Sequence, residues 1–378
     1  MTNLLLSFLN KKKATTAFTS FFFLTLLFIG LSINTAYSQS FRTTWITDDG
    51  TIEIPTAGSS YDYTVTWTNL TNTGVGDGSA NNQTGNYTLT GLENGSTYQI
   101  AINGDFPHFY MNAGNGRVKL KTIESWGSIA WTSMEKAFEG CSGLTYSATD
   151  IPNLSTVTNM SFMFSGCSTF DGNPTMNNWN TENVENMANM FNLAYLFNQP
   201  IGNWNTESVT NMLGMFMGTH SFNQPIGNWN TENVTNMRAM FMNTLAFNQP
   251  LNNWNTSSVT DMKWLFSAAS AFNQPLDNWN TSNVTSMFST FELAVLFNQS
   301  LASWDITGVT QVDFLDGMGA MLNQTALSVS NYDATLLSWA SQNVNPNIKL
   351  GATGLTYCTA QTARNTLIST PNNWVITG

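Results

Sequence analysis

Few residues of this chain could do acid–base, nucleophilic or metal chemistry. Its 378 residues include only two histidines: His108 lies among aromatic residues in FPHFY, and His220 directly precedes SFNQP. Neither has a His or Cys partner at the H-x-x-x-H or C-x-x-C spacing of zinc sites. The segments 48–50 (DDG) and 76–78 (GDG) lack the alternating acidic ligands of a calcium loop, so they predict turns. The sequence therefore predicts no catalytic residue, no metal site and no cofactor.

Three cysteines offer a different kind of chemistry. Cys141 and Cys167 are 26 residues apart, and each ends an F-x-G-C motif. If the two motifs stack as equivalent positions of a repeat, their Cα atoms lie about 5 Å apart, within the range of a disulfide. The alternative is a pair of buried thiols that fill the core. Cys358 is expected to be a buried thiol.

An acidic column is the clearest candidate for surface recognition. Glu182, Glu207 and Glu232 recur at intervals of 25 residues, and Ser257 and Ser282 continue the series. Stacked like charges repel each other, so their retention predicts a partner-binding patch that attracts cations or a basic protein. The alternative is a solvated loop edge with no role.

These residues belong to a repeat. Phe-Asn-Gln-Pro begins at residues 197, 222, 247 and 272, and Val, Met and Phe columns keep the same step of 25. Such a period is typical of stacked architectures in which each unit completes its core only against its neighbours. The repeated tryptophans are Trp179, Trp204, Trp229, Trp254, Trp279 and Trp304. We interpret the Trp column as core rather than as a sugar-stacking platform.

Each unit is predicted to contain a helical half and a strand half. The segment 234–241 (VTNMRAMF) places apolar residues at i, i+3, i+6 and i+7, which predicts a short helical turn. The segment after FNQP, such as 226–229 (IGNW), predicts a brief strand. The fold class predicted is an α+β repeat solenoid of about eight leucine-rich-repeat-like coils, preceded by a small all-β, immunoglobulin-like leader domain. Columns of Asn, such as Asn180 and Asn205, are expected to hydrogen-bond along the stack and within turns.

The predicted domains follow from this pattern. Residues 39–122 form the leader, 123–325 the repeats and 326–378 a C-terminal capping segment. Alternating residues predict leader strands at 61–67, 86–89 and 98–102, with a loop at 71–85 between them. The capping segment is predicted to hold helices at 331–340 and 359–368 and a strand at 374–376.

Residues 1–38 resemble an export signal. Lysines at 11–13 precede the apolar run 21–33, and Ala36, Tyr37 and Ser38 form a small-residue cleavage site. The alternative is a membrane anchor, although the run is shorter than the roughly 20 residues needed to span a bilayer. No transmembrane segment is expected in the mature chain. The sequence predicts a secreted or cell-surface location, associated with an outer membrane.

Composition excludes one class of partner. The chain has 12 Lys and Arg against 23 Asp and Glu, a net charge of −11, and only 9% of its residues are charged. A chain this acidic lacks the basic surface that binds phosphate backbones. We therefore predict no nucleic-acid partner.

The repeats resemble those of the BspA-type leucine-rich-repeat surface proteins of bacteria. The resemblance is carried by FNQPIGNWNTESVTNMLGMF from Phe197, FNQPIGNWNTENVTNMRAMF from Phe222, WGSIAWTSMEKAFEGCSGL from Trp126 and NYDATLLSWA from Asn331. It implies an exported, non-enzymatic protein with interaction or adhesion roles, and a leader of the immunoglobulin or PKD-like kind.

The function expected is a binding or adhesion scaffold for proteins or glycans. Five turns vary freely between units (NLAYL, MGTHS, MNTLA, SAASA and ELAVL) while the frame around them is constant. The alternative is an ice-binding protein that presents arrays of Asn and Thr. A polysaccharide-active enzyme is the weakest alternative, because Arg238 and Lys263 are the only basic residues of the regular units and such enzymes need charged clusters.

Overall fold

The computed structural model describes residues 40–310 and 315–378. The predicted export signal lies outside the described residues, so its interpretation stays a prediction. Within the described ranges, no helix is both long enough and apolar enough to cross a membrane.

The N-terminal part is built from strands with alternating buried and exposed residues. Six strands form one sheet in the order β4-β3-β6-β1-β7-β8, and β2 pairs with β5 separately. The strands predicted near 61–67, 86–89 and 98–102 are confirmed as β3, β5 and β6. The bounds are β1 Phe41–Ile46, β2 Ile52–Ile54, β3 Asp62–Asn69, β4 Gly78–Gln83, β5 Tyr87–Leu89, β6 Thr97–Asp105, β7 Leu120–Ser125 and β8 Thr145–Tyr146.

Strand β4 lies where the composition predicts a loop. Its residues are polar because it forms the edge of the sheet, where β3 is its only partner strand. Gly78 has a packing role there, because a Cβ at this position would collide with the ring of Trp67. A Gly- and Asn-rich segment can therefore form a strand when an aromatic ring covers it.

The N-terminal sheet continues directly into the repeats. Strand β7 pairs in parallel with β8, which belongs to the first repeat unit, and Ala130 forms a parallel bridge to Asn153. The ring of Phe109 stacks on Phe138 with centroids 5.3 Å apart. One hydrophobic core extends from the leader through the repeats to the C-terminal strands. The leader thus covers the first repeat unit and buries its apolar residues.

The units stack in register through single parallel bridges and through ring columns. Isolated bridges connect Asn159, Asn186, Asn211, Asn236, Asp261 and Ser286 in order. Trp204 and Trp229 stack with centroids 6.4 Å apart, and Phe216 and Phe241 with centroids 5.8 Å apart. The Trp, Val, Met and Phe columns are buried, so the predicted core is confirmed.

The predicted fold class, however, is wrong. The described residues contain only two α-helices, both C-terminal to the repeats, and neither the helical half nor the strand half of a leucine-rich-repeat-like α+β coil forms. The segment 226–229 (IGNW) is a turn in which the Trp229 N–H donates to the Ile226 carbonyl at 3.1 Å. The immunoglobulin-like leader is also not a separate sandwich, because its large sheet runs into the repeats.

Backbone conformation explains why no helix forms. Ala239 and Asn243 have φ values of 55° and 57°, in the left-handed region that interrupts a right-handed helix. The N–H groups of Ala239 and Phe241 donate to Lys263 and Leu265 of the next unit, at 2.8 and 2.9 Å. Since these donors bond between units, no i to i−4 ladder is available. The i, i+3, i+6 and i+7 spacing of apolar residues in segment 234–241 therefore corresponds to consecutive turns rather than to a helix.

The C-terminal segment closes the stack. Its elements are α1 (Val329–Trp339), β9 (Lys349–Gly351), α2 (Gln361–Ile368) and β10 (Val375–Thr377), which confirms the predicted helices and last strand. The Asn331 amide donates to the Asn298 carbonyl at 2.8 Å, and Gln342 both accepts from the Ile306 N–H and donates to the Trp304 carbonyl. These side chains satisfy backbone groups that a further repeat would otherwise bond. Two short 3-10 helices, Asn115–Val118 and Pro174–Asn178, complete the elements.

Candidate functional site

The predicted acidic column lies on one edge of the stack, which we call the Asn turns (residues 180–183 and their equivalents). Glu182, Glu207 and Glu232 are exposed and occupy equivalent positions in three successive units. Each backbone N–H donates to the Asn side chain two residues earlier, at 3.0–3.2 Å. Their carbonyls accept hydrogen bonds from the next unit, so the backbone is structural, and the Glu182 carboxylate also accepts from the Asn180 amide at 3.1 Å. Partner binding by this column stays a prediction.

The Asn turns are tied to their neighbours by side chains. Thr231 is 1% exposed and its hydroxyl donates to the Asn255 carbonyl of the next unit at 2.9 Å. Asn230 accepts from the N–H two residues on, as predicted for a turn, and so do its equivalents. The predicted bonding of this column along the stack is not seen.

A different Asn column carries the hydrogen bonds along the stack. In each FNQP segment the Asn side-chain oxygen accepts from the Asn N–H of the next unit, as Asn223 does from Asn248 at 3.0 Å. The following Gln donates to the same oxygen, as Gln249 does at 2.9 Å. This role was missed at the sequence level, although the invariance of FNQP was the signal. The Trp column is internal, since Trp229 is 3% exposed and its Nε1 donates to the Ile201 carbonyl.

The variable turns (residues 192–196, 217–221, 242–246, 267–271 and 292–296) form a contrasting edge. Seven of the sixteen exposed large apolar residues in the described ranges lie in these short segments. They are Leu193, Tyr195, Leu196, Leu245, Leu293, Val295 and Leu296. Exposed apolar residues gathered in one set of turns are typical of interaction surfaces.

Two adjacent variable turns support each other through aromatic rings. The His220 ring stacks on Tyr195 with centroids 4.8 Å apart and an interplanar angle of 14°. A ring nitrogen of His220 lies 3.2 Å from the Asn243 amide nitrogen in the following turn. His220 therefore holds three turns together and has no acid–base partner among these contacts.

The comparisons with known proteins show the family. Two overlapping segments, residues 132–250 and 220–329, match the family described as "Mycoplasma protein of unknown function, DUF285". Together they cover just over half of the chain. The chain belongs to this family. No curated protein matches the chain, and no solved structure matches it.

The cysteines of this DUF285 chain are all free thiols in the structure. Cys141 and Cys167 are fully buried, and the Cys167 thiol donates to the Phe138 carbonyl at 3.0 Å. Burial raises the pKa of both thiols, which disfavours the reactive thiolate. The structure thus has the buried-thiol arrangement, and the disulfide is not formed. The prediction of a buried Cys358 is wrong, because it lies exposed just before α2.

The remaining titratable residues have structural surroundings. Burial lowers the pKa of His108, whose Nε2 lies 2.8 Å from the Glu135 carbonyl oxygen. Asp49 accepts from Lys119 and Thr51, as a turn residue does, and the Lys119 hydrogen bond lowers its pKa most. In residues 40–310 and 315–378, no group of three His, Cys, Asp or Glu could hold a metal ion.

The two basic residues of the regular units have roles that the sequence did not reveal. The Arg238 guanidinium lies 4.5 Å from the centre of the Trp264 ring, and Lys263 forms an ion pair with Asp316. Both occupy the first position after the Met column, at 238 and 263. That shared position in the repeat was the only sequence signal that they lie on one face.

Proposed function

We propose that this protein is a non-enzymatic binding scaffold that contacts protein partners through its variable turns. The observation that carries the proposal is the concentration of exposed apolar side chains in these turns. The residues that build the stack are buried or hydrogen-bonded, whereas Leu196 and Leu296 are 52% and 57% exposed. The buried centres of protein interfaces are more apolar than the rest of the protein surface, so such side chains favour an interface.

The surroundings of the basic residues of the regular units and of the histidines favour recognition rather than catalysis. Arg238 and Lys263 are stacked and ion-paired, respectively, and the two histidines contact carbonyl, amide or aromatic groups. General acid–base catalysis needs a proton-transferring group within reach of a substrate in a cleft. The architecture supports a rigid scaffold whose contacts change by substitution in the turns.

The location proposed is outside the cell or at its surface. The charged, apolar and small-residue sequence of segments 11–13, 21–33 and 36–38 supports export. The BspA-type interpretation, with its surface adhesion role, is the finer proposal within the DUF285 family.

The test is a binding screen followed by matched variants. The purified chain is applied to arrays of extracellular matrix proteins, and dissociation constants are measured for each binder. A Leu196→Ser, Leu296→Ser double variant is expected to weaken binding at least tenfold without changing the melting temperature, because both side chains are exposed. Unchanged binding by this variant contradicts the proposal.

A matched variant tests the acidic column in the same assay. Glu182→Gln, Glu207→Gln and Glu232→Gln remove three exposed charges from the other edge. If the column attracts a basic partner, this triple variant weakens binding and the loss disappears at high salt. If it is a solvated edge, affinity stays within twofold.

Ice binding is the second candidate, and one observation favours it. An exposed row of threonines runs along successive units: Thr210, Thr235, Thr260 and Thr285. Each hydroxyl donates to the backbone carbonyl of the equivalent residue in the preceding unit, at 3.2–3.3 Å. Their methyl groups and acceptor lone pairs form a regular array. Thermal hysteresis of the purified chain tests it, and the absence of hysteresis removes this candidate.

A further inference from the structure

Aromatic and basic side chains lie together on one face of the stack, near its C-terminal end and outside the variable turns. Successive rows lie in register, because Ala239 donates to the Lys263 carbonyl and Trp264 to the Phe288 carbonyl, at 2.8 and 2.9 Å. Ser289 then donates to the Gly319 carbonyl at 2.8 Å. Rows stacked in this way are roughly 4.7–4.9 Å apart. Arg238, Trp264 and Phe288 therefore lie on consecutive rows of one face.

The side chains on these rows touch each other. The Arg238 guanidinium stacks 4.5 Å from the Trp264 ring centre, and the Trp264 and Phe288 rings meet edge to face at 5.6 Å. All three are half-buried. In earlier units the same positions hold small or aliphatic residues such as Ala188 and Leu213.

A trough opens beside Phe288, which we call the aromatic trough. It is lined by Phe288, Gly319, Ala320, Lys349, Leu350 and Val375. A Cβ at Gly319 would lie 3.0 Å from two ring carbons of Phe288, so the ring lies directly against the glycine. The floor is thus backbone and small residues, while Phe288 and the 53% exposed Val375 form apolar walls.

Basic residues are concentrated on this face. Of the nine Lys and Arg after residue 38, three lie here: Arg238, Lys263 and Lys349. Lys263 is neutralised by Asp316, whereas no carboxylate pairs with Arg238 among the described residues. A guanidinium held over a Trp ring keeps N–H donors for bidentate contact with a carboxylate.

We propose that the aromatic trough, together with Arg238 and Trp264, binds an oligosaccharide that carries carboxylate groups. A pyranose ring has a flat apolar face that fits an aromatic wall and a backbone floor, and its polar edge faces solvent. A sugar carboxylate pairs with Arg238, about two rows from Phe288. The overall negative charge repels anionic glycans elsewhere, which confines them to this basic face. The inference deepens the proposed function by adding a glycan site, and its residues differ from those of the variable turns.

The test uses hexagalacturonate as the probe and its fully methyl-esterified form as the neutral control. Isothermal titration calorimetry of the purified chain is expected to show binding of the acid form at least tenfold tighter than of the ester. Arg238→Gln is expected to abolish that preference, and Phe288→Leu to weaken both forms. Lys121→Gln, which removes one positive charge from the N-terminal sheet, is the matched control and leaves affinity within twofold. Thermal melting confirms that each variant folds.

Three results would overturn the inference. Equal affinity for the acid and ester forms removes the carboxylate contact, and full affinity in Arg238→Gln removes its assigned partner. Equally tight binding of hexaglutamate assigns the trough to acidic peptides instead. The Leu196→Ser, Leu296→Ser variant is expected to keep full affinity for hexagalacturonate. Loss of matrix-protein binding in that variant therefore tests the proposed function without testing this site.

Discussion

The two edges of each repeat unit differ in how their side chains are used. In the Asn turns, side chains bond the backbone of the same or the neighbouring unit, as Asn230 and Thr231 do. In the variable turns, large apolar side chains are exposed, as Tyr195 and Leu245 are. Within the variable turns, the buried Thr219 and Thr244 still donate to carbonyls of the preceding unit, so the difference applies to the exposed apolar positions, whose side chains carry no hydrogen bond of the stack. Recognition is therefore expected at the variable edge and stability at the other.

The largest loss of stability is expected from a substitution in the hydrophobic core between the two edges. Trp229→Ala removes a buried ring that stacks on Trp204 and Trp254 and donates to the Ile201 carbonyl. A large-to-small change of this kind costs about 3–5 kcal/mol of unfolding free energy. Guanidinium denaturation measures it, with Leu245→Ala in a variable turn as the control. A loss below about 1 kcal/mol would show that the units do not depend on the Trp column.

At the C-terminal end, the Asp333 side chain also bonds the backbone of a neighbouring segment. This buried carboxylate of α1 accepts from the N–H groups of Cys358, Thr359 and Ala360 before α2. Burial raises its pKa, but these hydrogen bonds together outweigh burial and hold the pKa below its ordinary value. Asp333→Ala is expected to cost on the order of 2 kcal/mol, as loss of hydrogen bonds to a charged group does.

The lowered pKa gives Asp333 a pH signature. Its contribution is fully present above the ordinary Asp pKa of about 4 and is lost as the pH falls through the lower folded value. The difference in unfolding free energy between wild type and Asp333→Ala is measured from pH 7 to pH 2. This difference is expected to shrink only below about pH 4. A difference that is constant over this range would contradict the assigned role.

A matched pair of substitutions tests the left-handed positions that replace the predicted helix. Gly214 and Ala239 are equivalent residues of consecutive units with φ of 58° and 55°. Gly214→Ala is expected to cost about 1–2 kcal/mol, because it adds left-handed strain and its Cβ collides with the Asn189 side chain. Ala239→Gly is expected not to destabilise. Thermal denaturation of both variants checks this, and equal losses would argue for a helical conformation here.

The smallest effect separates two threonines of one unit. Thr231→Val removes a buried hydroxyl and leaves the Asn255 carbonyl without its donor, which costs about 1 kcal/mol. Thr235→Val removes an exposed hydroxyl whose hydrogen bond to the Thr210 carbonyl, at 3.2 Å, can be replaced by water, so the unfolding free energy of this variant stays within about 0.5 kcal/mol of wild type. If both substitutions cost the same, burial does not decide how much these hydrogen bonds between units contribute to stability.

Much of the core could be predicted from sequence, because the period of 25 places Trp, Met and Phe in columns whatever the backbone does between them. The local conformation could not, since Ala239 and Trp264 occupy left-handed conformations that their residue types do not signal. The acidic column was placed correctly on an exposed edge. The stacking of Arg238 on Trp264 depends on the register between units, which the sequence of one unit does not contain.

The central claim is that the exposed apolar side chains of the variable turns carry recognition without supporting the fold. The most direct measurement replaces the turn 292–296 (ELAVL) with SAASA from the preceding unit, which keeps the buried Ala294. The account predicts an unfolding free energy within about 0.5 kcal/mol of wild type and an affinity for the array-identified matrix protein at least tenfold weaker. A loss of stability above about 2 kcal/mol, or an unchanged affinity, would contradict it.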